Sequence, residues 1–303
     1  MKDRILRFNL YIGLGILSCS AVLLGFEVSL IKTWFFSLAW WSFILIMDSL
    51  NYRKSGTSLL SGPFGEFLFT AFISVFVWLV FELFNLRLNN WSYHGLPENL
   101  LLRWLGYFIA FATVMPAIRE ISLFVESLLK NKKLALFRLR PTPFLLKGSL
   151  VFGIVCIFLA IIWPRAFFPL TWLCFIFLLE PLNIWLGNES YVKDMDKRDW
   201  TRFWSWVLAG LVAGILWEFW NFWASSHWVY HLSYLDFWRV FQMPVFGYTG
   251  FLPFALEVFA FTHISLFLYR KLKGKVLLKS VIFVVLLFVY AVTFFLIDTF
   301  TLK

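Results

Sequence analysis

Residues 217–231 read WEFWNFWASSHWVYH, and residues 81–94 read FELFNLRLNNWSYH. Both stretches contain Glu-x-x-Asn and then Trp-x-Tyr-His. The aligned residues are Glu82, Asn85, Trp91, Tyr93 and His94 in one stretch and Glu218, Asn221, Trp228, Tyr230 and His231 in the other. Rare polar residues do not stay in step by chance in such apolar surroundings. The two stretches therefore predict an internal duplication.

Two further alignments extend the duplication in both directions. WFFSLAWWSFILIMDSLN (34–51) aligns with AFFPLTWLCFIFLLEPLN (166–183), and MPAIRE (115–120) aligns with LPFALE (252–257). The paired residues are Asp48 with Glu180, Asn51 with Asn183, Pro116 with Pro253 and Glu120 with Glu257. The offset between paired residues grows only from 132 to 137 along the chain. Two tandem repeats therefore account for most of the sequence.

The composition indicates a membrane protein. The 303 residues are 61% hydrophobic, 22% aromatic and 15% charged, and the mean hydropathy is +0.80. A helix of about 20 apolar residues crosses a bilayer, and no alternating strand pattern suggests a barrel. We count nine apolar runs, at 9–30, 33–50, 65–86, 102–127, 148–163, 166–186, 203–224, 245–268 and 276–298. The sequence predicts an all-α, polytopic transmembrane bundle.

The repeats and the basic residues predict domains and topology. We expect a first four-helix repeat at 1–130, a basic cytoplasmic linker at 131–147, a second repeat at 148–272 and an extra transmembrane helix at 273–303. An even number of spans per repeat predicts a pseudo-two-fold axis along the membrane normal. Segments on one side of the membrane hold 20 Lys and Arg residues against 6 on the other. This asymmetry predicts a cytoplasmic N-terminus and an outer C-terminus in the cell (inner) membrane. The net charge of +10 suggests contact with membrane lipid and not with nucleic acid.

Acidic residues within apolar spans are candidates for function. On a helix, positions i and i+3 share a face, so each Glu-x-x-Asn pair forms one polar patch. We predict that the catalytic residues are Glu82, Glu120, Glu218 and Glu257. The alternative is that these acids join helices through hydrogen bonds, in which case duplication would have copied a structural contact.

Aromatic and amide side chains accompany these acids. We predict that the substrate-binding residues are Asn51, Asn85, Asn183, Asn221, Trp91, Tyr93, Trp228 and Tyr230. His94 and His231 end the two Trp-x-Tyr-His motifs and are possible proton donors. The alternative for both histidines is an interfacial position beside aromatic residues. The residue spacings predict no metal site and no cofactor.

Three functions remain open from the residues alone. The first is an intramembrane protein that binds or acts on an apolar lipid or isoprenoid by acid–base chemistry, since aromatic faces stabilise cations and buried carboxylic acids relay protons. The second is a proton- or cation-coupled transporter, in which two repeats contribute carboxylate and amide oxygens. The third is a structural subunit of a membrane complex. The sequence leaves the oligomeric state open.

The repeated motifs also resemble a known family. An acid in the membrane, then Trp-x-Tyr, then proline closely followed by glutamate, present twice, resembles the integral-membrane lycopene-cyclase type of carotenoid protein. The residues that carry the resemblance are Glu82, Trp91, Tyr93, Pro116 and Glu120, with Glu218, Trp228, Tyr230, Pro253 and Glu257. The resemblance covers only these short motifs. It implies a cyclisation of a polyene that begins with protonation and needs no cofactor.

Overall fold

The computed structural model describes residues 2–130, 132, 134–232 and 237–303. It is 76% helical and therefore nearly all-α. Nine helical segments in the described part of the chain are long and apolar enough to cross a membrane, judged by length and composition. These segments overlap all nine of the predicted apolar runs. Length and composition therefore indicate a helical membrane protein.

Twelve α-helices make up most of the fold. In chain order they are α1 (Lys2–Gly25), α2 (Ser29–Ser55), α3 (Phe64–Leu88), α4 (Leu100–Phe111), α5 (Val114–Leu129), α6 (Pro143–Ile162), α7 (Pro164–Phe167), α8 (Cys174–Trp185), α9 (Tyr191–Asp196), α10 (Thr201–Trp223), α11 (Phe251–Lys271) and α12 (Val276–Phe300). Two 3₁₀ helices, Phe168–Trp172 and Val245–Gly250, lead into α8 and α11.

Short strands correct the all-α prediction. The strands are β1 (Trp91–His94), β2 (His227–Tyr230), β3 (Arg239–Val240) and β4 (Met243–Pro244). β1 pairs with β2, and β3 pairs with β4, both in antiparallel register. The Trp-x-Tyr-His motifs thus form a two-stranded ribbon.

One pair of aligned spans differs in continuity. α2 is a single helix, whereas the aligned segment 164–185 breaks into α7, a 3₁₀ helix and α8. Pro169 stands where α2 has Ser37. Proline lacks an N–H donor and its ring clashes with the carbonyl group of the preceding turn, which disfavours a regular α-helix at this position, although Pro181 is accommodated within α8. The break also leaves the first N–H groups of α8 in need of acceptors.

The contacts of α2 define the two ends of the bundle. Near its start, the carbonyl oxygen of Lys32 accepts a hydrogen bond from Ser225 N, 2.8 Å away, close to the ribbon. Near its end, Arg53 donates to the carbonyl oxygen of Arg7 at 2.8 Å. The C-terminal residue Lys303 donates its backbone N–H to Tyr93 O of the ribbon at 2.9 Å. The C-terminus therefore lies at the ribbon end, and Arg7 lies at the opposite end.

Helices α10 and α11 touch through glycine. A Cβ atom on Gly210 would lie 2.2 Å from the carbonyl oxygen of Phe251. Aromatic rings fill the centre between the two halves of the chain. The ring centroids of Trp78 and Trp217 lie 5.0 Å apart, and those of Trp40 and Trp220 lie 4.6 Å apart. The core thus joins residues from both predicted repeats.

A buried polar cluster attaches α12 to α4. The carboxylate of Asp298 accepts two hydrogen bonds from Arg103, one from the Trp104 indole and one from the Tyr107 hydroxyl, each at 2.9 Å. The Arg103 and Asp298 side chains are 14% and 12% exposed. Because every donor has a charged acceptor, this cluster stabilises the position of the C-terminal helix.

The predicted linker lies against the second half of the chain. Residues 131 and 133 of the linker, and residue 1 of the first predicted repeat, lie outside the described residues. Trp200 donates its indole N–H to Phe137 O at 2.9 Å, and Arg138 forms an ion pair with Asp196 at 2.8 Å. The predicted domain boundaries stay predictions.

Candidate functional site

The ribbon places four predicted substrate-binding residues on one face. Trp91 pairs with Tyr230, and Tyr93 pairs with Trp228. Alternate residues of a strand point to the same side. The two Trp-x-Tyr motifs therefore present their four rings together, and the antiparallel pairing brings each tryptophan opposite the other motif's tyrosine.

Asn85 and Asn221 fix the connection between helix and ribbon. Asn85 donates to Trp91 O at 2.9 Å and accepts from Asn90 N at 2.8 Å. Asn221 likewise donates to Trp228 O and accepts from Trp228 N, both at 2.9 Å. Both ends of each amide are thus engaged by backbone groups. The predicted substrate-binding asparagines on α3 and α10 hold the ribbon strands against their helices.

Glu82 and Glu218 lie behind the aromatic face of the ribbon, fully buried. Glu82 Oε1 accepts hydrogen bonds from the Tyr93 hydroxyl at 2.5 Å and from the indole N–H groups of Trp78 at 2.8 Å and Trp91 at 3.2 Å. Glu218 Oε1 accepts one, from the Tyr230 hydroxyl at 2.8 Å. Among the described residues, neither Oε2 atom has a hydrogen-bond partner. Each glutamate is therefore joined to one ribbon tyrosine.

The other buried acids of the two halves accept backbone N–H groups. In the first half, Glu120 Oε1 accepts from Leu59 N at 2.9 Å, and Asp48 Oδ1 accepts from Leu60 N at 2.8 Å. Asn51 donates to Glu120 Oε2 at 2.5 Å. These contacts hold the loop between α2 and α3, at the end of the bundle opposite the ribbon.

The second half uses its acids in a related way. Glu257 Oε1 accepts from Phe175 N at 2.9 Å, which satisfies one of the N–H groups at the start of α8. Glu180 Oε1 accepts from the Ser190 hydroxyl at 2.5 Å and from Val192 N at 3.3 Å. Asn183 donates to Ala260 O at 3.0 Å. The aligned Asn51 contacts Glu120, but no hydrogen bond joins Asn183 to Glu257 within the described residues.

The histidines lie on the other face of the ribbon. Ser92 Oγ is 3.0 Å from His94 Nε2 and 2.7 Å from His231 Nε2. The His94 and His227 rings stack with centroids 5.8 Å apart. Burial lowers the pKa of His94 below its usual value, and the neighbouring His227 and Lys303 lower it further. His94 makes no hydrogen bond to Glu82 or Glu218 within the described residues.

A cavity of about 330 Å³ lies against the aromatic face of the ribbon. It is bounded by the ribbon, the broken span 164–185 and the segment before α11. Its lining consists of Trp78, Asn90, Trp91, Tyr93, Phe168, Pro169, Trp172, Leu173, Trp217, Trp228, Tyr230, Leu232, Met243, Phe246, Gly247, Thr249, Gly250, Phe251, Pro253 and Phe254. Four predicted substrate-binding residues, Trp91, Tyr93, Trp228 and Tyr230, are among them. None of the four predicted catalytic glutamates lines the cavity directly.

Sequence reasoning did not identify several of the lining residues. Asn90 precedes the first Trp-x-Tyr motif but has no asparagine partner in the second stretch, so the duplication gave no signal for it. Trp172 and Phe254 belong to aligned segments, yet they resemble the many core aromatics. Their cavity positions follow from the break at Pro169 and from the entry of the chain into α11.

This chain was compared with protein-family models, with curated proteins and with solved structures, and none of the three comparisons found a match.

Proposed function

We propose that this protein binds an apolar, isoprenoid-type lipid in the ribbon cavity and performs acid–base chemistry on it. One observation carries the proposal. Tyr93 and Tyr230 both line the cavity, and the hydroxyl group of each donates a hydrogen bond to a buried glutamate, Glu82 or Glu218. Two short proton paths therefore connect the cavity with two carboxyl groups. Proton transfer by positioned side chains is an established source of catalysis.

The lining supports an apolar ligand. Tryptophan, tyrosine and phenylalanine supply most of the cavity surface, and the described lining contains no charged side chain. Pockets for small molecules are typically apolar with a few convergent polar groups. The faces of the tryptophan rings also stabilise positive charge. This environment suits a hydrocarbon that becomes a cation for part of the reaction.

The proposed reaction transfers one proton into the ligand and one out of it. In the proposed reaction the Tyr230 hydroxyl turns its hydrogen from Glu218 to a double bond; its O–H bond breaks, a C–H bond forms and the ligand becomes a carbocation, while Glu218 in its acid form gives its proton to the Tyr230 oxygen. A neighbouring carbon then loses a proton through Tyr93 to Glu82, and a new double bond forms. The direction follows from the donors, because Glu82 accepts three hydrogen bonds that stabilise negative charge and Glu218 accepts one. Proton exchange with water restores both acids, so no oxidant, reductant or cofactor is needed.

The same contacts narrow the set of predicted catalytic residues. Glu120 and Glu257 each satisfy a backbone N–H group away from the cavity, so we assign them structural roles. Asn85 and Asn221 position the ribbon and do not bind the ligand in this proposal. The resemblance to the lycopene-cyclase type agrees with the proposed reaction class for Glu82 and Glu218.

The tandem-repeat architecture and the topology belong to this proposal. Two four-helix repeats, at 1–130 and 148–272, are related by a pseudo-two-fold axis along the membrane normal. The symmetric pairing of β1 with β2 and the matching asparagine contacts support this arrangement. The N-terminus is cytoplasmic in the cell (inner) membrane, and the ribbon, the cavity and the C-terminus lie toward the outer side.

The experiment compares the molecules that co-purify with wild type and with a Glu82→Gln/Glu218→Gln variant. The full chain is purified gently, incubated in D₂O and analysed by native mass spectrometry with lipid extraction. Wild type is expected to carry an apolar molecule that gains deuterium at carbon, and the variant is expected to carry it without deuterium. Glu120→Gln/Glu180→Gln is the matched control, because these acids are equally buried but bind loops.

Other outcomes would assign other functions. If no apolar molecule co-purifies, and the Glu82→Gln/Glu218→Gln variant instead abolishes a proton or cation flux in liposomes, the transporter hypothesis replaces this proposal. If neither property differs between wild type and variant, the two glutamates join helices, and a structural subunit is the better description.

A further inference from the structure

Trp172 is the most open of the tryptophans that line the 330 Å³ cavity in the described part of the chain. Its ring is partly exposed, whereas the other four are buried at 4% to 9% exposure, namely Trp78, Trp91, Trp217 and Trp228. The Phe81 ring stacks on Trp172 with the planes 10° apart and the centroids 5.0 Å apart, and Phe254 meets it edge-on at 5.5 Å. These neighbours hold the indole in place and leave part of its surface to the cavity.

Gly250 leaves a face of this indole uncovered. Gly250 also lines the cavity. A Cβ atom on it would lie 3.6 Å from Trp172 Cδ1 and 3.8 Å from both Cγ and Nε1. An atom at these three distances lies above the plane of the five-membered ring, because an approach within the plane would bring it much closer to Cδ1 than to the two neighbouring atoms. Glycine has no such atom, so the ring face stays open at this point.

The backbone does not require glycine at this position. Gly250 has φ −68° and ψ −28°, which are right-handed helical values that other residues adopt freely. In the first half, the same offset of 137 that pairs Glu120 with Glu257 pairs Thr113 with Gly250. Thr113 is fully buried, and Trp40, which aligns with Trp172, is 1% exposed. The first half therefore has a covered tryptophan where the second half has an open one.

The charge of the lining gives the open ring a chemical role. No Asp or Glu lines the cavity within the described residues, so a positive charge on the ligand has no carboxylate in contact with it. The face of an aromatic ring attracts a cation, and tryptophan does so most strongly. The attraction increases where the cation is removed from water. The open face of Trp172 is therefore the lining surface best suited to a cationic ligand atom.

We propose that the carbocation of the proposed reaction forms against the open face of Trp172, and that Gly250 lets the ligand reach this face. The inference rests on the proposed function, because it identifies the group that stabilises the intermediate in the same cavity. Trp172 touches the ligand, whereas Gly250 acts through Trp172 as a positioning residue. Neither residue gives or takes a proton.

The test measures binding of two probes of nearly equal shape to the full chain in lipid nanodiscs. Each probe is an all-trans geranylgeranyl chain, and one ends in a trimethylammonium group and the other in a tert-butyl group. Because the two end groups differ in charge and hardly in size, the ratio of the two affinities measures stabilisation of the cation. Trp172→Leu is expected to lower the ratio of ammonium to tert-butyl affinity about tenfold, which corresponds to ~1.4 kcal/mol. Trp172→Phe is expected to retain part of the ratio, since it keeps a smaller ring.

Gly250→Thr introduces the residue of the first half and is expected to lower the ratio as Trp172→Leu does. Gly250→Ala is expected to lower it less, and its Cβ would be in ordinary van der Waals contact with the ring, so this variant should fold. Trp163→Leu is the matched control, because Trp163 is 57% exposed and does not line the cavity. It should show the wild-type ratio.

A purely structural role of Trp172 would weaken binding of both probes equally and leave their ratio at the wild-type value. That result, or an unchanged ratio in both Gly250 variants, overturns the inference. The proposed function would stand in that case, because incorporation of deuterium into the co-purified molecule tests it separately. If wild type binds neither probe, the proposed function fails, and this inference fails with it.

Discussion

Two cavities of unequal size lie beside the ribbon. Most residues that line the 330 Å³ cavity belong to the second half, and most of those that line a smaller cavity of about 70 Å³, Phe36, Tyr107 and Phe111 among them, belong to the first half. Phe36 aligns with Phe168 of the large cavity. Trp78, Tyr93, Trp217 and Trp228 line both. The two similar Trp-x-Tyr motifs therefore border both a small, nearly filled cavity and a large, open cavity.

The difference lies in the chain that follows each ribbon strand. After β1 the chain forms α4, which Asp298 of α12 holds in place. After β2, β3 and β4 form a hairpin, and the 3₁₀ helix Val245–Gly250 leads into α11. The hairpin does not fill the space as a helix does. A large cavity therefore remains beside the similar motifs only where no helix is held against the ribbon.

The largest expected effect comes from breaking the cluster that holds α4. Asp298→Asn leaves the nearly buried Arg103 guanidinium without its counter-charge, which costs about 3–5 kcal/mol. We expect a large fall in the thermal unfolding temperature in detergent, and a second apolar probe bound per chain as the small cavity opens. Asp196→Asn is the control, because its pair with Arg138 is exposed and contributes about 0–1 kcal/mol. Equal effects of the two substitutions would contradict the assigned role of Asp298.

A second substitution tests the close contact between α10 and α11. Gly210→Ala places a methyl group against Phe251 O, and overpacking of this kind costs about 1–3 kcal/mol. Gly148→Ala is the control, since its Cβ would meet no atom within 4 Å and alanine favours the helix. In the first half, Ser74 precedes Glu82 by the same number of residues as Gly210 precedes Glu218. The Ser74 hydroxyl donates a hydrogen bond to Phe111 O at 2.6 Å. Thermal unfolding of both variants checks the prediction, and a stable Gly210→Ala protein would argue against close contact.

A third substitution blocks the large cavity alone. Thr249→Trp places a bulky ring at the exposed mouth, and we expect probe affinity to fall about tenfold, which corresponds to ~1.4 kcal/mol. Val245 belongs to the same 3₁₀ helix and is 43% exposed, but it does not line the cavity. Val245→Trp should therefore bind an apolar isoprenoid probe as wild type does. Equal binding by the two variants would place the ligand elsewhere.

The smallest expected effect concerns the pH dependence of stability, which we attribute to His94 on the histidine face of the ribbon. The pKa of His94 is lowered in the folded state, so unfolded chains bind more protons near the usual histidine pKa. Stability is therefore fully present above about pH 6.5 and decreases as the pH falls through the lowered pKa of the folded state. His227, His231 and Lys303 face the same region. A His94→Gln variant should show a shallower loss of thermal stability between neutral and mildly acidic pH, and an unchanged slope would contradict this assignment.

Much of the site could be predicted from the duplication. The sequence paired Glu82 with Glu218 and the two Trp-x-Tyr motifs with each other, because rare polar residues at a constant offset are a strong signal. It did not predict the ribbon, since four residues of alternating pattern are too short to distinguish a strand from a loop. It also grouped Glu120 and Glu257 with Glu82 and Glu218. A local sequence motif does not show which carboxyl group accepts a hydrogen bond from a distant backbone N–H.

The sequence by itself determined that this is a helical protein with apolar segments of membrane-spanning length, since hydrophobicity and length are local properties of the chain. It did not determine the break at Pro169: from the sequence we predicted 166–186 as one span, and Pro181 lies within α8 of the same segment without ending the helix. Only the tertiary structure decided which acids contact the ribbon tyrosines and which side of the ribbon borders the larger cavity. Those properties depend on contacts between segments far apart in the chain, and each is set by whether another helix fills the adjacent space.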